Sequence, residues 1–313
     1  MHRDIGTKLF MEAFDRYIEE TGIELTEENA NEIFRQFMEI YNEERRLINA
    51  GEIEKSDDEK IADLLEEAFE SGESKAKKLV KKALEINPNH IPAQLFALQF
   101  EKNVIKRLEM LTTLEEKERN RLEQHHLDTG YEIDNYHLDL KGRDYLKIIF
   151  ELCQEFLIAG MYARAREVAM YGVTLDDMDH PGFHKMIISL SLLLEDYEEA
   201  QSWLDGYEFD TPTSLLYKAI LEYKQFDIPE ATKYIHQICE KFPDVKRVMT
   251  QNLSEATIER MMVSDQSIYI EQFMQTIQEC DFLFKENAML DWMIETMKSY
   301  KKPKKEKTKT ILN

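Results

Sequence analysis

Glycine and proline are scarce in this chain, 10 and 7 of 313 residues, together roughly half of average usage. Tight hairpin turns and phosphate-cradling loops both consume these residues, so the shortage argues against sheet built from hairpins and favours long helices. Valine is sparse too, which weakens any case for strands. The three cysteines, Cys153, Cys239 and Cys280, are far apart and odd in number. They fit neither a disulfide framework nor a zinc site, and a reducing cytoplasm is the simplest compartment. No apolar run approaches the roughly 18 residues of a membrane span. The N-terminal MHRDIGTKLFMEAFDRY carries charges through its apolar positions, unlike a signal peptide. GxSxG, HExxH and glycine-rich phosphate motifs are missing as well, so no catalytic residue, metal ligand or cofactor is assigned.

Apolar residues make up 43% of the chain, enough for a substantial core, and charged residues 33%. Net charge is −22; the final KKPKKEKTKTILN carries +5, which leaves −27 on the body. Such a body repels nucleic acid and anionic membranes and tolerates a basic partner.

The apolar residues recur at helical spacing. Leu9, Phe10, Phe14, Tyr17 and Ile18 form one stripe, stopped at Gly22; Ile33, Phe34, Phe37, Met38 and Tyr41 form a second, ended near Gly51. Thr26 is the expected N-cap of the second helix, with Glu27 and Glu28 in its first turn. Residues 1–55 therefore read as a helical hairpin. Ser56 and Glu59 have capping-box spacing for the next helix. A stripe from Ala76 to Ile86 halts at Pro88, and Pro92 opens a helix expected to run through Leu108. Residues 113–127 read as a solvated helix, 128–142 as an irregular loop, and 143–297 as short helices in pairs. The tail 300–313 lacks core residues and is expected to be disordered.

One interval recurs. Ala76, Ala200 and Ala231 are each followed twelve residues later by a proline, at Pro88, Pro212 and Pro243; Ala165 has Asp177 at that offset. Ala165, Ala200 and Ala231 are 35 and 31 residues apart, close to the tetratricopeptide period of about 34 residues. Polar turns precede each alanine: SGESKA, AGMYARA, EDYEEA and FDIPEA. A small residue there lets two helices cross closely, and proline is expected to end the second helix because it has no N–H to donate. One pair cannot bury both faces, so pairs stack.

On these residues the chain resembles the tetratricopeptide-repeat proteins. The expected fold is all-α, an α-α superhelix of stacked tetratricopeptide-like hairpins over 56–299. A second resemblance covers about half of the chain. KKALEINPNH (81–90), DYLKIIFELCQEFLIAGMYARAREV (144–168) and EDYEEAQSWLDGYEFDTPTSLLYKAILEYK (195–224), with Tyr197, Gln201 and Leu204 in a YxxxQxxL-like segment, look collinear with the suppressor-of-tumorigenicity-7 family. It implies a helical-repeat fold and no defined chemistry.

In tetratricopeptide arrays the inward positions of the first helices line a concave surface. That register implies Lys147, Phe150, Gln154, Lys185, Ser189, Leu216, Ile220 and Tyr223 as a peptide-binding face. The expected function is a non-enzymatic scaffold or adaptor that binds another protein or peptide there. One alternative is a peptide-responsive regulator of the same architecture. The other is a metal-dependent enzyme with a site in 125–184. His125, His126 and His137 lie among Asp128, Asp134 and Asp139, and His180 and His184 are spaced i, i+4 behind Asp176, Asp177 and Asp179. Adjacent histidines point about 100° apart on a helix, and Pro181 excludes His180 from one. Loop and capping roles are therefore preferred for all of them, as is an inert buried thiol for Cys153 over a nucleophile. Self-association through an apolar helix at 267–297 is a further expectation.

Overall fold

The computed structural model describes residues 2–301 apart from 24, 27–28, 207–209, 265–266 and 285–287. The basic tail from 302 onward and the expected first-turn Glu27 and Glu28 lie outside the described residues. Every regular element among the described residues is helical. Contacts divide the chain into two compact units, Met1–Met161 with Thr174–His180, and Tyr162–Val173 with Pro181–Asn313. The boundary read near residue 55 falls inside the first.

The first unit holds α1 (His2–Thr21), α2 (Ala30–Asn49), α3 (Asp57–Phe69), α4 (Glu73–Ile86), α5 (Ile91–Leu98), α6 (Val104–Thr129) and α7 (Leu140–Ile158). Gly22 ends α1 in the left-handed region, φ +63°. Asn29, not Thr26, is the cap residue of α2. The Asn29 side chain turns back to accept the Thr26 amide at 2.7 Å, while the Thr26 carbonyl accepts the amides of Asn29 and Ala30. Phe10 and Phe14 of α1 meet the Phe37 ring edge-on at 5.3 and 5.0 Å, so aromatic packing joins the first two helices. Ser56 and Glu59 form the expected capping box on α3, and Glu59 also pairs with Arg45 of α2.

The helix expected from Pro92 through Leu108 is two helices. α5 stops at Leu98, and the Asn103 side chain caps α6 by accepting the amides of Ile105 and Lys106. That asparagine competes with helix continuation because its short side chain satisfies orphan amides. α6 packs along α7 through a seam that includes Leu108, Leu111, Leu114 and Leu122. Arg107 of α6 donates to Glu155 of α7 at 2.7 Å, and the Tyr145 hydroxyl donates to Glu115 at 2.7 Å. Between them, 130–139 is the irregular connection, closed by Asp139, which caps α7.

The chain continues through α8 (Tyr162–Leu175), whose last two residues belong with the first unit. The second unit then holds α9 (Phe183–Leu193), α10 (Tyr197–Asp205), α11 (Pro212–Lys224), α12 (Ile228–Lys241), α13 (Pro243–Thr250), α14 (Glu255–Met262) and α15 (Ser267–Glu279). A 3-10 turn (Asp281–Leu283) and α16 (Ala288–Ser299) follow. The continuous helix expected over 267–297 is therefore broken. Of its apolar residues, Phe273, Leu283 and Phe284 are buried in this unit's own core, with Ile277, Phe282, Leu290 and Trp292 packed against it.

The alanine interval has a structural meaning. Ala76, Ala165, Ala200 and Ala231 are each the fourth residue of their helices, α4, α8, α10 and α12, and each is buried. The turns before the last three are the same to the hydrogen bond. Gly160, Glu195 and Phe226 have φ of +72°, +60° and +66°. Each is followed by an amide, of Met161, Asp196 and Asp227, that reaches back to the carbonyls of Phe156, Ser191 and Glu222 at 2.8 to 2.9 Å. This is a left-handed C-terminal closure, and it sets each alanine five residues beyond the left-handed residue. The turn before Ala76 is different, with Gly72 in extended conformation at φ −66°.

Two of the prolines play a part beyond the one expected. Pro212 opens α11, seven residues beyond the end of α10, and Pro243 opens α13 while also standing just past the end of α12. At the first helical position proline gives up an N–H that would have no partner there anyway. Pro88 and Pro243 each lie just past a helix end, two residues after Ile86 and Lys241. Inside this unit a Cβ on Gly172 of α8 would come within 2.5 Å of the Phe183 ring, so any larger residue there would force that buried ring to shift.

Candidate functional site

The eight residues expected to line a binding face divide between the units. Lys147, Phe150 and Gln154 lie on α7 in the first unit, all half-buried, with the Lys147 ammonium 3.7 Å from Asp144. Of those in the second unit, Ser189, Leu216 and Ile220 are 1%, 0% and 2% exposed, while Lys185 and Tyr223 are half-buried. Ser189, Leu216 and Ile220 thus present nothing to an external ligand, which corrects the expectation for those three.

Their cover is the chain's own C-terminal segment. α15 packs on α11 and the following 3-10 turn packs on α9. The Ser189 hydroxyl lies 2.8 Å from the Cys280 thiol and 3.0 Å from the Tyr217 hydroxyl. Thr213 of α11 meets Thr276 of α15, hydroxyl to hydroxyl, at 2.9 Å. Tyr223 stacks at a tilt on Trp292 of α16, ring centroids 4.7 Å apart. Burial pushes the Cys280 thiol above its ordinary range, although its hydrogen bonds to Ser189 and Tyr217 pull the other way. Ser189 of the expected ligand face, and Thr213 beside it on α11, are matched instead by Cys280 and Thr276 of the same chain.

An open apolar concavity of about 450 Å³ lies elsewhere in this unit, between α13, α14 and α15. Leu253, Ile258, Met261, Met262, Ile270 and Met274 line it, with Gln251, Asn252 and Glu271 as polar members. Ile258, Met262 and Met274 are exposed. Its size is that of a ligand or peptide-anchor pocket, and methionine's unbranched, polarizable side chain adapts to varied apolar partners. No periodic signal along the chain points to it, because it needs two short helices and α15 to converge.

The histidines regroup. His125 and His126 stay at the end of α6, where the His126 Nδ1 lies 3.0 Å from the Tyr131 carbonyl. The Tyr131 hydroxyl donates to Asp139, which pushes the phenol up to about 12. His184, at the start of α9, meets the edge of Trp203, 4.9 Å between centroids. His137 instead stacks on His180, centroids 3.7 Å apart and planes within 4°. The His180 Nδ1 lies 3.0 Å from Asp176 Oδ2, and Asp176 is fully buried. The Asn135 amide donates to Asp176 Oδ1 at 3.0 Å, and the His180 backbone amide to Oδ2 at 2.8 Å. Burial, the largest influence on Asp176, pushes its carboxyl upward; the hydrogen bonds from Asn135 and His180 together hold it below its ordinary value. His137, Asp176 and His180 each offer a ligand atom within 4.8 Å of the others. Cys153 is fully buried and its thiol is pushed up to about 12 by burial, in keeping with an inert core residue.

No family model matches the chain, and no curated protein or solved structure is significantly similar to it. Among the described residues no helix is long and apolar enough to cross a membrane.

Proposed function

We propose that this chain is a non-enzymatic scaffold or adaptor, a tetratricopeptide-like stack of helical hairpins that binds another protein. The observation that carries this reading is the thrice-repeated left-handed turn with a buried alanine five residues on. Repetition of one hairpin unit builds extended surfaces, and such surfaces serve recognition. The partner segment that fits the available surface is an amphipathic helix of basic character. Its apolar anchors would enter the Met-lined concavity between α13, α14 and α15, and the net charge of −22 would favour its approach and repel nucleic acid.

The test is affinity capture with the full chain, the double variant Met262→Glu with Met274→Glu, and a second double variant, Phe150→Ala with Tyr223→Ala. A protein held by the native chain and lost from the methionine variant is expected, and a synthetic helix from that protein should bind the native chain by titration calorimetry. A partner retained equally by the methionine variant overturns the assignment of the surface.

A second reading has its own observation. The C-terminal segment lies on α9 and α11 through Ser189–Cys280 and Thr213–Thr276, where a peptide would sit in a tetratricopeptide groove. A peptide that displaces α15 would make the protein a ligand-responsive regulator. Raised amide exchange across 267–283 on adding the partner helix favours this reading; unchanged exchange removes it.

A further inference from the structure

The cluster formed by His137, Asp176 and His180 is independent of the binding surface proposed above. We propose that His137, Asp176 and His180 form a site for a divalent transition-metal ion of the zinc class, which clamps the loop 130–139 to the turn 176–180.

Two imidazoles and one carboxylate are a common ligand set for such ions, and three protein ligands leave a fourth position for water. The three side chains come from two segments about forty residues apart in sequence, both within the first unit. Their convergence is a product of folding and not of local spacing.

The surroundings are those of a built site. Asp176 is fully buried, an unusual place for a carboxylate, and its Oδ1 is oriented by the Asn135 amide at 3.0 Å. An outer amide that fixes a ligating carboxylate in this way is the usual second layer of a metal centre. Asn135 also accepts the amides of His137 and Leu138 at 2.9 and 3.1 Å, so one side chain positions both the carboxylate and the backbone of a ligand. The Arg143 guanidinium donates to the His137 carbonyl at 2.8 Å, and the Tyr136 amide to the Leu175 carbonyl at 2.9 Å. These bonds hold the loop to the turn with the imidazoles already together.

The separation of 3.0 Å between Asp176 Oδ2 and His180 Nδ1 is close to the edge of a tetrahedron around an ion with bonds of about 2.0–2.1 Å. The stacked rings need one adjustment. Parallel imidazoles direct their in-plane lone pairs side by side, so the ring of His180, exposed at the rim, must tilt toward His137 for both to reach one ion.

The experiment is a zinc titration of the chelator-treated full chain in physiological salt with excess Mg²⁺, which blocks weak binding to the acidic surface. Competition with a chromophoric chelator measures the affinity, and Co²⁺ substitution reports coordination by its visible absorption. One Zn²⁺ per chain with micromolar or tighter affinity is expected. His180→Ala should weaken it at least tenfold, and Asn135→Ala roughly tenfold to a hundredfold. His180 is exposed, so its replacement leaves the core intact; circular dichroism and the native melting temperature without metal check this. Failure of the native chain to bind Zn²⁺ or Co²⁺ in this range overturns the proposal. So does stoichiometric binding that survives both His137→Ala and His180→Ala, since that places the ion elsewhere. Neither result bears on capture of a partner by the methionine-lined surface.

Discussion

The Ser189 hydroxyl lies 2.8 Å from the Cys280 thiol, although 91 residues separate them in the chain. Both side chains are buried, and Tyr217 completes the contact. The 3-10 turn after α15 is thereby seated on α9, and α15 itself on α11. This is why a face that reads as a ligand groove along the sequence is closed to solvent in the folded chain.

Ala231→Leu should be severely destabilising. The alanine is fully buried at the fourth position of α12, which packs tightly on α11, and extra methylenes there force backbone shifts that cost about 1–3 kcal/mol or more. Ala163→Leu, on the exposed side of α8, should change stability by less than about 0.5 kcal/mol. Urea midpoints of the two variants decide the matter; equal midpoints would contradict close helix crossing at the alanines.

Equivalent positions in the repeated turn should respond with opposite signs. Gly160 occupies the left-handed region without strain, whereas Phe226 does so at φ +66° with its ring 84% exposed. A left-handed backbone costs a side-chain-bearing residue roughly 1–2 kcal/mol, partly offset by the greater unfolded-state freedom of glycine. Phe226→Gly is therefore expected to raise the unfolding free energy, and Gly160→Ala to lower it by about 1 kcal/mol. Thermal melts of both variants test the pair.

All three thiols are buried, and burial pushes Cys153 up to about 12 and Cys239 up to about 11. Native protein near pH 8 should react with a disulfide reagent far more slowly than the three-thiol unfolded chain. A raised thiol favours the folded state fully below its ordinary value of 9.0, and that contribution is lost as pH climbs from 9.0 toward about 12 for Cys153. Cys153→Ala should accordingly flatten the decline in stability over that window, measured by denaturant titration at several pH values.

Asp176 works in the other direction. Its carboxyl is held below the ordinary 3.8, so it stabilises the fold above that value, and the contribution disappears as pH falls through the lower, folded value. Asp176→Asn should lose stability at neutral pH, by about 1–3 kcal/mol for a disrupted buried hydrogen-bond group. It should lose less, relative to the native chain, once the pH is well below 3.8. Amide exchange of residues 135–139 across that range is the direct readout, because Asn135 links this loop to the carboxylate.

Much of the helical punctuation was legible from local chemistry. Ser56 with Glu59 makes the capping box its spacing predicts, Gly22 and Gly51 take left-handed conformations at helix ends, and the recurring alanines are buried at one helical position. Each is a short-range effect, decided by hydrogen bonds within a few residues or by one position in a helix turn. Expectation and structure differ locally as well where two short-range choices compete. Asn103 offers a side-chain oxygen that creates a helix start, and Pro212 and Pro243 stand at helix beginnings, where proline is as well suited as it is just past an end; Pro243 does both.

By itself, then, the sequence determined that the chain is helical, where its first four helices stop, and which alanines recur at one buried helical position. Those properties follow from propensity, periodicity and capping, which act over one or two turns. Only the tertiary structure decided that α15 closes the face holding Ser189, Leu216 and Ile220, and that Met262 and Met274 border an open concavity. It also decided that His137 meets His180 and Asp176. Each of these depends on segments remote in the chain packing together, and no spacing along the sequence encodes which distant surface a helix will bury against.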